Sequence, residues 1–309
     1  GNVTPKLSEK IIRSHLEKKH PLTENAFGYL GDRSSPPKGL IHLEDLDSYG
    51  KQTRIVTRNF GNIEPSNISH YVANGGYSAL NTALFQNSPE DIVETVKSSG
   101  LRGRGGAAFP TGLKWSFLAP SKAPIKYVLC NCEEGDPGAF NDKGILEADP
   151  HTLIEGLILN GYATNSSKGY IFIRQGHDIP IDITHDAINQ AYDKGLLGKN
   201  ILGSNFSFDL EISLTGDSYV AGEETALMEA IEGKRSTPRF KPPFPAASGL
   251  WQKPTNINNV KTISYVPSII EKGADWFKSV GTSSSTGTAI ICLTGHIARP
   301  GMYEVAMGM

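Results

Sequence analysis

The chain has few cysteines, no excess of positive charge and no long apolar segment. Its 309 residues include only Cys130, Cys132 and Cys292, an odd set that does not make a disulfide framework and favours reduced thiols. An iron–sulfur cluster usually needs four cysteine ligands, so these three do not form a conventional cluster site. The formal net charge of −2 and the sequence pI of about 6.5 leave no basic footprint for nucleic acid.

Signals for membranes, export and metal binding are also missing from the sequence. It contains no apolar run of the length that spans a bilayer, and residues 1–20 lack the apolar core of a signal peptide. The histidines show no HExxH spacing. We therefore expect a cytoplasmic protein with no metal site in this chain. Because the chain starts without Met and ends within an apparent strand pattern, we also expect a fragment of a longer protein.

The rest of the sequence alternates predicted strands with predicted helices. The strands are predicted at residues 54–57, 127–131, 170–174, 209–214 and 289–293. The helices are predicted at residues 7–18, 89–97, 150–163, 181–194 and 222–232. The helix at 89–97 has the clearest start, with Ser88 as N-cap and Pro89 in its first position. This alternation predicts an α/β fold with a sheet covered by helices.

Composition divides the chain into three predicted parts. Residues 1–50 form an irregular and helical lead-in, because residues 21–52 are rich in Pro, Gly, Ser and Asp. Residues 51–278 form the α/β domain. A linker rich in Ser, Thr and Gly at 279–287 leads to residues 288–309, which start a β-rich module.

The stretch GLRGRGGAAFPTGLKW at residues 100–115 carries the first functional signal. Its glycines let backbone N–H groups approach a phosphate, and Arg104 and Lys114 add positive charge. It matches neither a Walker A loop nor GxGxxG after a strand, so a plain surface turn is an equal alternative. Phe109, Trp115 and Phe117 favour stacking on a planar ring, although they could equally be core residues.

Four further motifs place polar groups at predicted turns. NCEEGDPG at 131–138 puts three carboxylates after a strand, where open α/β sheets bind ligands. YVAGEET at 219–225 puts acidic residues at a helix N-terminus, which also attracts phosphate. KPPFP at 241–245 presents a cation and an aromatic ring, and Asn258-Asn259 precede Val260. For each motif alone, an ordinary turn or helix cap is the simpler alternative.

Taken together, the five motifs resemble one family in their order and spacing. This family is the FMN- and NADH-binding subunit of respiratory complex I, the 51-kDa type, with the diaphorase subunits of NAD(P)-linked hydrogenases and formate dehydrogenases. The resemblance covers roughly residues 50–309, and EEGDPGAF favours the hydrogenase and formate dehydrogenase branch. It implies a Rossmann-like FMN-binding domain of the α/β class, followed by the start of a ubiquitin-like (SLBB-type) β-rich module.

The resemblance also implies a double nucleotide site. The FMN-binding residues that it implies are Gly103, Arg104, Gly105, Gly106, Lys114, Asn131, Glu133, Glu134, Tyr219, Gly222, Glu223, Asn258 and Asn259. The NADH-binding residues that it implies are Phe109, Phe117, Asp136, Glu224, Lys241 and Phe244. The aromatic residues would pack around the adenine, and the nicotinamide would stack on the flavin.

The activity implied by the resemblance is that of an NADH:acceptor oxidoreductase subunit. Hydride passes from NAD(P)H to FMN with no acid–base residue, since the cofactor carries the reaction and the protein aligns the reactants. Electrons then pass to a 4Fe-4S cluster, which is expected only in a C-terminal region beyond residue 309. The expected partners are a thioredoxin-like 2Fe-2S subunit and a larger iron–sulfur subunit, in the cytoplasm or on the cytoplasmic face of a membrane complex.

Several residues depart from the family pattern. Ala108 stands where glycine is usual, and Glu133 stands where aspartate is usual. Asp217-Ser218 stand where Gly-Ala is usual, and Lys261 stands where glutamate is often found. These departures motivate an alternative, in which the chain is a diverged, non-catalytic nucleotide-binding module used for docking. A subunit of an Rnf-type electron-transport complex is a further alternative. The motifs do not distinguish NAD from NADP.

Overall fold

The computed structural model describes residues 3–216 and 218–309, so the unusual Asp217 lies outside the described residues. The chain forms two compact units, with the boundary between Thr53 and Arg54. The three-part division that we infer from composition stays a prediction.

The first unit is mostly irregular. Helix α1 spans Pro5–Ile11 and continues as a π-helical turn over Ile12–Glu17, so the helix predicted at 7–18 is confirmed with a wider turn in its second half. Helix α2 spans Asp47–Gly50. The exposed Arg33 pairs with Glu44 and Asp45, and pairs of this kind contribute little to stability.

The second unit contains a parallel sheet, a small antiparallel sheet and the remaining helices. The strands are β1 (Tyr127–Cys132), β2 (Lys168–Arg174), β3 (Asp209–Thr215), β4 (Thr255–Asn259), β5 (Thr288–Leu293) and β6 (Gly301–Ala306). The helices are α3 (Ile68–Ala73), α4 (Ser78–Gln86), α5 (Pro89–Ser98), α6 (Thr111–Leu118), α7 (Asn141–Ala148), α8 (Pro150–Thr164), α9 (Asp178–Asp193), α10 (Glu224–Ile231), α11 (Val260–Ser264), α12 (Val266–Lys272) and α13 (Ala274–Lys278).

The parallel sheet has the strand order β3-β2-β1-β4. Its central strand β1 is almost wholly buried, with Leu129 paired to Tyr170 on one side and to Ile257 on the other. Helix α8 is buried along nearly its whole length and packs against β1 and β2. Helices cover the apolar strands of a parallel sheet, so the predicted α/β fold is confirmed. The strand order reverses at β1, which opens a crevice at the carboxyl ends of β1 and β4.

The prediction of a strand at residues 54–57 is wrong. A 3₁₀ helix spans Val56–Asn59 instead, because the buried carboxylate of Glu304 accepts hydrogen bonds from the backbone N–H groups of Val56 (3.1 Å) and Thr57 (2.9 Å). The β-branched residues that suggested a strand therefore face the core from a helical turn.

The antiparallel sheet joins β5 and β6, with Thr288 paired to Ala306. It confirms that strands follow the α/β part of the chain, and Glu304 of β6 accepts a hydrogen bond from the Thr288 hydroxyl (2.5 Å). Throughout residues 3–216 and 218–309, every helix is too short or too polar to cross a bilayer.

Helix α5 leads into the glycine-rich stretch, and its N-terminus is closed by a capping box. The Asp91 carboxylate accepts from the Ser88 backbone (2.8 Å), while the Ser88 hydroxyl accepts from the Asp91 backbone (3.2 Å). We expect Ser88→Ala to lower the free energy of unfolding by ~1 kcal/mol, because the backbone N–H of Asp91 loses its hydroxyl partner. Urea unfolding measures the change. Ser98→Ala, at the exposed other end of the helix, is the control, and equal losses for both variants would contradict the prediction.

Candidate functional site

A cavity of about 1090 Å³ lies at the carboxyl ends of β1 and β4. Asn131 reaches it from β1, and Asn258 and Asn259 reach it from β4. The glycine-rich stretch, helix α6, the N-terminus of α10 and the loop at 241–247 complete its walls. Pockets for single small ligands usually have volumes of ~300–1,000 Å³, so this cavity has room for more than one ring system.

Most of the residues predicted to bind FMN or NADH line this one cavity. From the FMN set these are Gly103, Gly105, Lys114, Asn131, Gly222, Glu223, Asn258 and Asn259. From the NADH set they are Phe109, Phe117, Glu224, Lys241 and Phe244. The predicted residues outside this lining are Arg104, Gly106, Glu133, Glu134, Asp136 and Tyr219. The cavity thus brings together residues from all five motifs except the acidic part of NCEEGDPG.

The aromatic residues of the glycine-rich stretch separate into core and cavity residues. Trp115 is completely buried and belongs to the core. Phe109 and Phe117 remain 44% and 56% exposed, with their ring centroids 6.4 Å apart. Phe244, from the opposite loop, is also exposed. The cavity therefore offers exposed aromatic faces on which a planar ring can stack.

The acidic turn after β1 uses its carboxylates within the protein. Glu134 accepts hydrogen bonds from the backbone N–H groups at the start of α7, including those of Asn141 (2.8 Å) and Asp142 (2.9 Å). Glu133 pairs with Arg174, which opposes the rise that burial causes in the pKa of Glu133. The Tyr219 hydroxyl lies 3.4 Å from a carboxylate oxygen of Asp136. We attribute their position outside the cavity lining to these contacts.

Asn131 links this turn to the turn before α10. Its side-chain amide donates to the carbonyl of Gly222 at 2.8 Å, and its Oδ1 accepts from the Glu133 backbone at 3.0 Å. The amide group therefore holds two cavity walls together at the end of β1.

Two lysines and two glutamates form a charged network on the cavity wall. Glu224 contacts Lys241 at 2.5 Å and Lys114 at 3.2 Å, and Glu223 contacts Lys241 at 3.4 Å. Glu223 also accepts from the backbone N–H of Thr225 (2.9 Å), so it caps α10. Burial raises the pKa of Glu224, but the two ammonium groups outweigh burial and hold that pKa below its ordinary value. Both lysines line the cavity, so each ammonium group lies within the space that a ligand would enter.

The loop that carries Lys241 and Phe244 is held by contacts that sequence reasoning missed. Arg239 donates to Glu229 (2.5 Å) and Glu232 (2.6 Å) of the α10 region, and to the carbonyl of Gly249 (2.9 Å). A two-pronged guanidinium fixes orientation as well as distance. Glu229 and Glu232 precede Arg239 by ten and seven residues, and Gly249 follows it after a Pro-rich stretch, so no local spacing rule indicates these contacts in the sequence.

Asn259 is held on both sides by protein groups. Its Oδ1 accepts from the Lys261 backbone (3.0 Å) at the start of α11, and its Nδ2 donates to Asp142 (2.6 Å). Lys261, at a position where the resemblance predicts glutamate, forms an ion pair with the same Asp142 at 2.9 Å. Burial raises the pKa of Asp142, and Lys261 opposes that rise. The unusual lysine therefore belongs to a buried pair that supports Asn259.

The part of the chain that the structure describes holds no group of three or more His, Cys, Asp or Glu residues arranged for a metal ion. Cys130 and Cys132 are buried within β1, and burial raises the pKa of both thiols well above the ordinary value. Both thiols therefore stay protonated and unreactive.

Residues 96–268 match the protein family described as the Nuo51 FMN-binding domain. This match confirms the resemblance inferred from the five motifs. The NADP-reducing hydrogenase subunit HndC of Solidesulfovibrio fructosivorans is 48% identical over 259 residues, 84% of this chain and 52% of that protein. An NADH-quinone oxidoreductase subunit of Rhizobium meliloti (strain 1021) is 48% identical over 242 residues, 78% of this chain and 58% of that protein.

Solved structures are similar as well. An NAD+-reducing [NiFe]-hydrogenase in the air-oxidized state matches with a TM-score of 0.69 and 31% identity, covering 84% of this chain and 42% of that chain. The same kind of enzyme in the H2-reduced state matches with a TM-score of 0.66 and 34% identity, covering 74% of this chain and 41% of that chain. The chain spans about half the length of the curated relatives it matches.

Ala108 has a left-handed backbone, with φ of 52°, at the position where the resemblance predicts glycine. This conformation is strained for a residue with a Cβ, so we expect Ala108→Gly to raise the free energy of unfolding by up to ~1 kcal/mol. Ala107→Gly is the matched control. Ala107 is also exposed and lines the same cavity without a positive φ, so its substitution should be destabilising. Urea unfolding that shows the same loss for both variants would contradict this account.

The charged network predicts how Glu224 titrates. Replacing Lys241 by Met removes one of the two cations, so the pKa of Glu224 should rise, whereas Lys234→Met should leave it unchanged because Lys234 pairs with Glu232. NMR of labelled glutamate carboxyls measures both. A lowered native pKa contributes stability at neutral pH that is lost as pH falls through that pKa. Wild type should therefore lose more stability on acidification than the Lys241→Met variant, and an unchanged Glu224 titration would refute the assignment.

Proposed function

Since the chain belongs to the Nuo51 FMN-binding domain family, we propose that its cavity holds FMN and NADH side by side. The chain is then the NADH-oxidising flavoprotein part of a larger oxidoreductase. The observation that carries this proposal is the cavity itself, because it joins the glycine-rich stretch, Lys114 and three exposed aromatic rings at the switch point of a parallel sheet.

The residues of the cavity fit a phosphorylated flavin. Gly105 lies so close to β4 that a Cβ there would stand 2.9 Å from the Cβ of Asn259. Only a glycine lets the backbone come this near, and exposed backbone N–H groups are suited to phosphate. Lys114 supplies the positive charge, and Asn258 supplies an amide at the end of β4. We propose that these groups bind the phosphate and the ribityl chain of FMN.

The opposite side of the cavity fits a dinucleotide. We assign Phe109, Phe117 and Phe244 to the adenine, because aromatic faces stack on planar bases. Lys241 would attract the diphosphate, and Glu224, freed in part from Lys241, would accept hydrogen bonds from ribose hydroxyls. Six of the predicted residues lie outside the cavity lining, and we propose that they support the cavity walls. These residues are Arg104, Gly106, Glu133, Glu134, Asp136 and Tyr219.

When bound, FMN supplies hydride acceptance and one-electron release, which no side chain provides. The chain's own residues align the two ligands and exclude water. Held between opposite walls of one cavity, the two ligands would lie side by side, and such alignment lowers the activation barrier substantially. Lys114 and Lys241 would supply positive charge to the phosphates, and hydride transfer between two bound rings needs no proton-transfer residue from the chain.

We further propose the route by which electrons leave. A 4Fe-4S cluster in a part of the protein outside these 309 residues would accept single electrons, and a partner would receive them. The relatives named above are subunits of NADH-quinone oxidoreductase and of an NADP-reducing hydrogenase. By analogy the partners are a thioredoxin-like 2Fe-2S subunit and a larger iron–sulfur subunit, in the cytoplasm or at the cytoplasmic face of a membrane complex.

The relatives do not favour the two alternatives. The relatives are named as oxidoreductase or hydrogenase subunits, which does not favour a diverged, non-catalytic nucleotide-binding module used for docking. None of those names points to an Rnf-type complex.

A flavin titration tests the proposal. The protein should bind FMN with a flavin absorption band, and anaerobic NADH should bleach that band. Lys114→Ala should weaken FMN binding by roughly 10- to 100-fold, because a hydrogen bond to a charged group is lost from the cavity. Lys122→Ala, an exposed lysine absent from the cavity lining, is the control and should bind as wild type. If wild type takes up no FMN, the proposed function is wrong.

A further inference from the structure

Arg104 lies in the middle of the glycine-rich stretch, but its side chain is directed to backbone carbonyls of the protein. Its Nε donates to the carbonyl of Thr288 (3.0 Å), its Nη2 to that of Thr286 (2.8 Å), and its Nη1 to that of Arg102 (2.9 Å). The guanidinium also lies 5.6 Å from the ring centroid of Tyr265. Each of its three nitrogens thus has a carbonyl partner, and the residue is absent from the cavity lining.

Residues 286–288, which we name the anchoring segment, contact the turn at residues 99–104 at both of its ends. Besides accepting from Arg104, the segment donates from the Thr286 hydroxyl to the carbonyl of Ser99 at 3.0 Å, just before the first glycine. The Thr288 hydroxyl in turn donates to the buried Glu304 at 2.5 Å. The anchoring segment is therefore fixed to the core on one side and to both ends of the turn 99–104 on the other.

The turn itself carries amides whose direction matters for the cavity. Gly103 donates to the carbonyl of Phe109 (2.9 Å), and the backbone N–H of Arg104 donates to the Thr262 hydroxyl (2.8 Å). Gly103 and Thr262 both line the cavity. A shift of the Arg104 side chain therefore moves the backbone that forms the cavity wall.

We propose that Arg104 is a positioning residue, which sets the shape of the flavin-binding turn by holding it to the anchoring segment rather than by contacting the flavin phosphate. The planar fork of arginine is essential to this role, since it reaches two carbonyls two residues apart, and the point charge of lysine does not reproduce it. This inference rests on the proposed function for its consequence, a lower flavin affinity. Its structural part concerns the ligand-free protein alone.

Hydrogen exchange on the ligand-free chain tests the structural part. In Arg104→Lys, the amides of residues 103 and 104 should exchange at least about tenfold faster than in wild type, because the fork that fixes the turn is lost. Arg102→Lys is the matched control: it makes the same change two residues away, where the exposed guanidinium has one long contact of 3.3 Å to Ala108. Its amides should exchange as in wild type. Unchanged exchange in Arg104→Lys would overturn the proposal.

Two substitutions of Arg104, one that keeps the positive charge and one that removes it, distinguish a positioning role from direct binding of the flavin. If Arg104 positions the turn, Arg104→Lys and Arg104→Met should both weaken FMN binding by about tenfold or more, with the same dependence on salt as wild type. If Arg104→Lys binds as wild type while Arg104→Met does not, the arginine acts through its charge and the proposal is overturned.

Two further outcomes are covered by the same design. Faster exchange of the α8 amides in Arg104→Lys would show that this variant unfolds. In that case the variant Thr286→Val is used instead. That variant removes only the contact to Ser99, and faster exchange at residues 100–104 supports the anchoring segment, whereas unchanged exchange overturns it. If wild type binds no FMN at all, the proposed function fails, and the exchange of the ligand-free variants still decides whether Arg104 positions the turn.

Discussion

The parallel pairing of β1 with β4 is the constraint on which the site depends. It sets Asn131 opposite Asn259 at the carboxyl ends of adjacent strands, although 128 positions separate them in the chain (259 − 131). The chain reaches β4 only after passing through β2 and β3 on the other side of β1, so the crevice between the two strand ends is left open. The glycine-rich stretch and the loop at 241–247 then close that crevice from opposite sides.

Charge within the cavity is balanced before any ligand binds. Glu224 pairs with both Lys114 and Lys241, and Glu223 also contacts Lys241, so two carboxylates offset the two cations and keep them close together. Outside the cavity, Arg104 and Arg239 use planar hydrogen-bonding forks to hold the two loops that close it. In the site that we propose, lysines face the ligands while arginines shape the backbone, in keeping with the difference between a mobile point charge and a rigid fork.

Local signals in the sequence were enough to predict the α/β fold. Strand β1 has a short apolar run and α5 has Ser-Pro at its start, and both signals act within a few residues. The prediction of a strand at residues 54–57 was wrong because Glu304, which accepts hydrogen bonds from this turn, lies about 250 positions away in the sequence. The cavity residues were predicted from the resemblance to a known family. The contacts of Arg104, Arg239 and Asp142 could not be predicted from the sequence, since each joins segments that only the tertiary fold brings together.

The central claim is that one cavity, at the ends of β1 and β4, receives the flavin. A crystal structure of the protein grown with saturating FMN tests it most directly. The account predicts the flavin ring between the glycine-rich stretch and the end of β4, with its phosphate near Lys114 and Gly105. A flavin bound elsewhere on the molecule, or this cavity empty at saturating FMN, would contradict it.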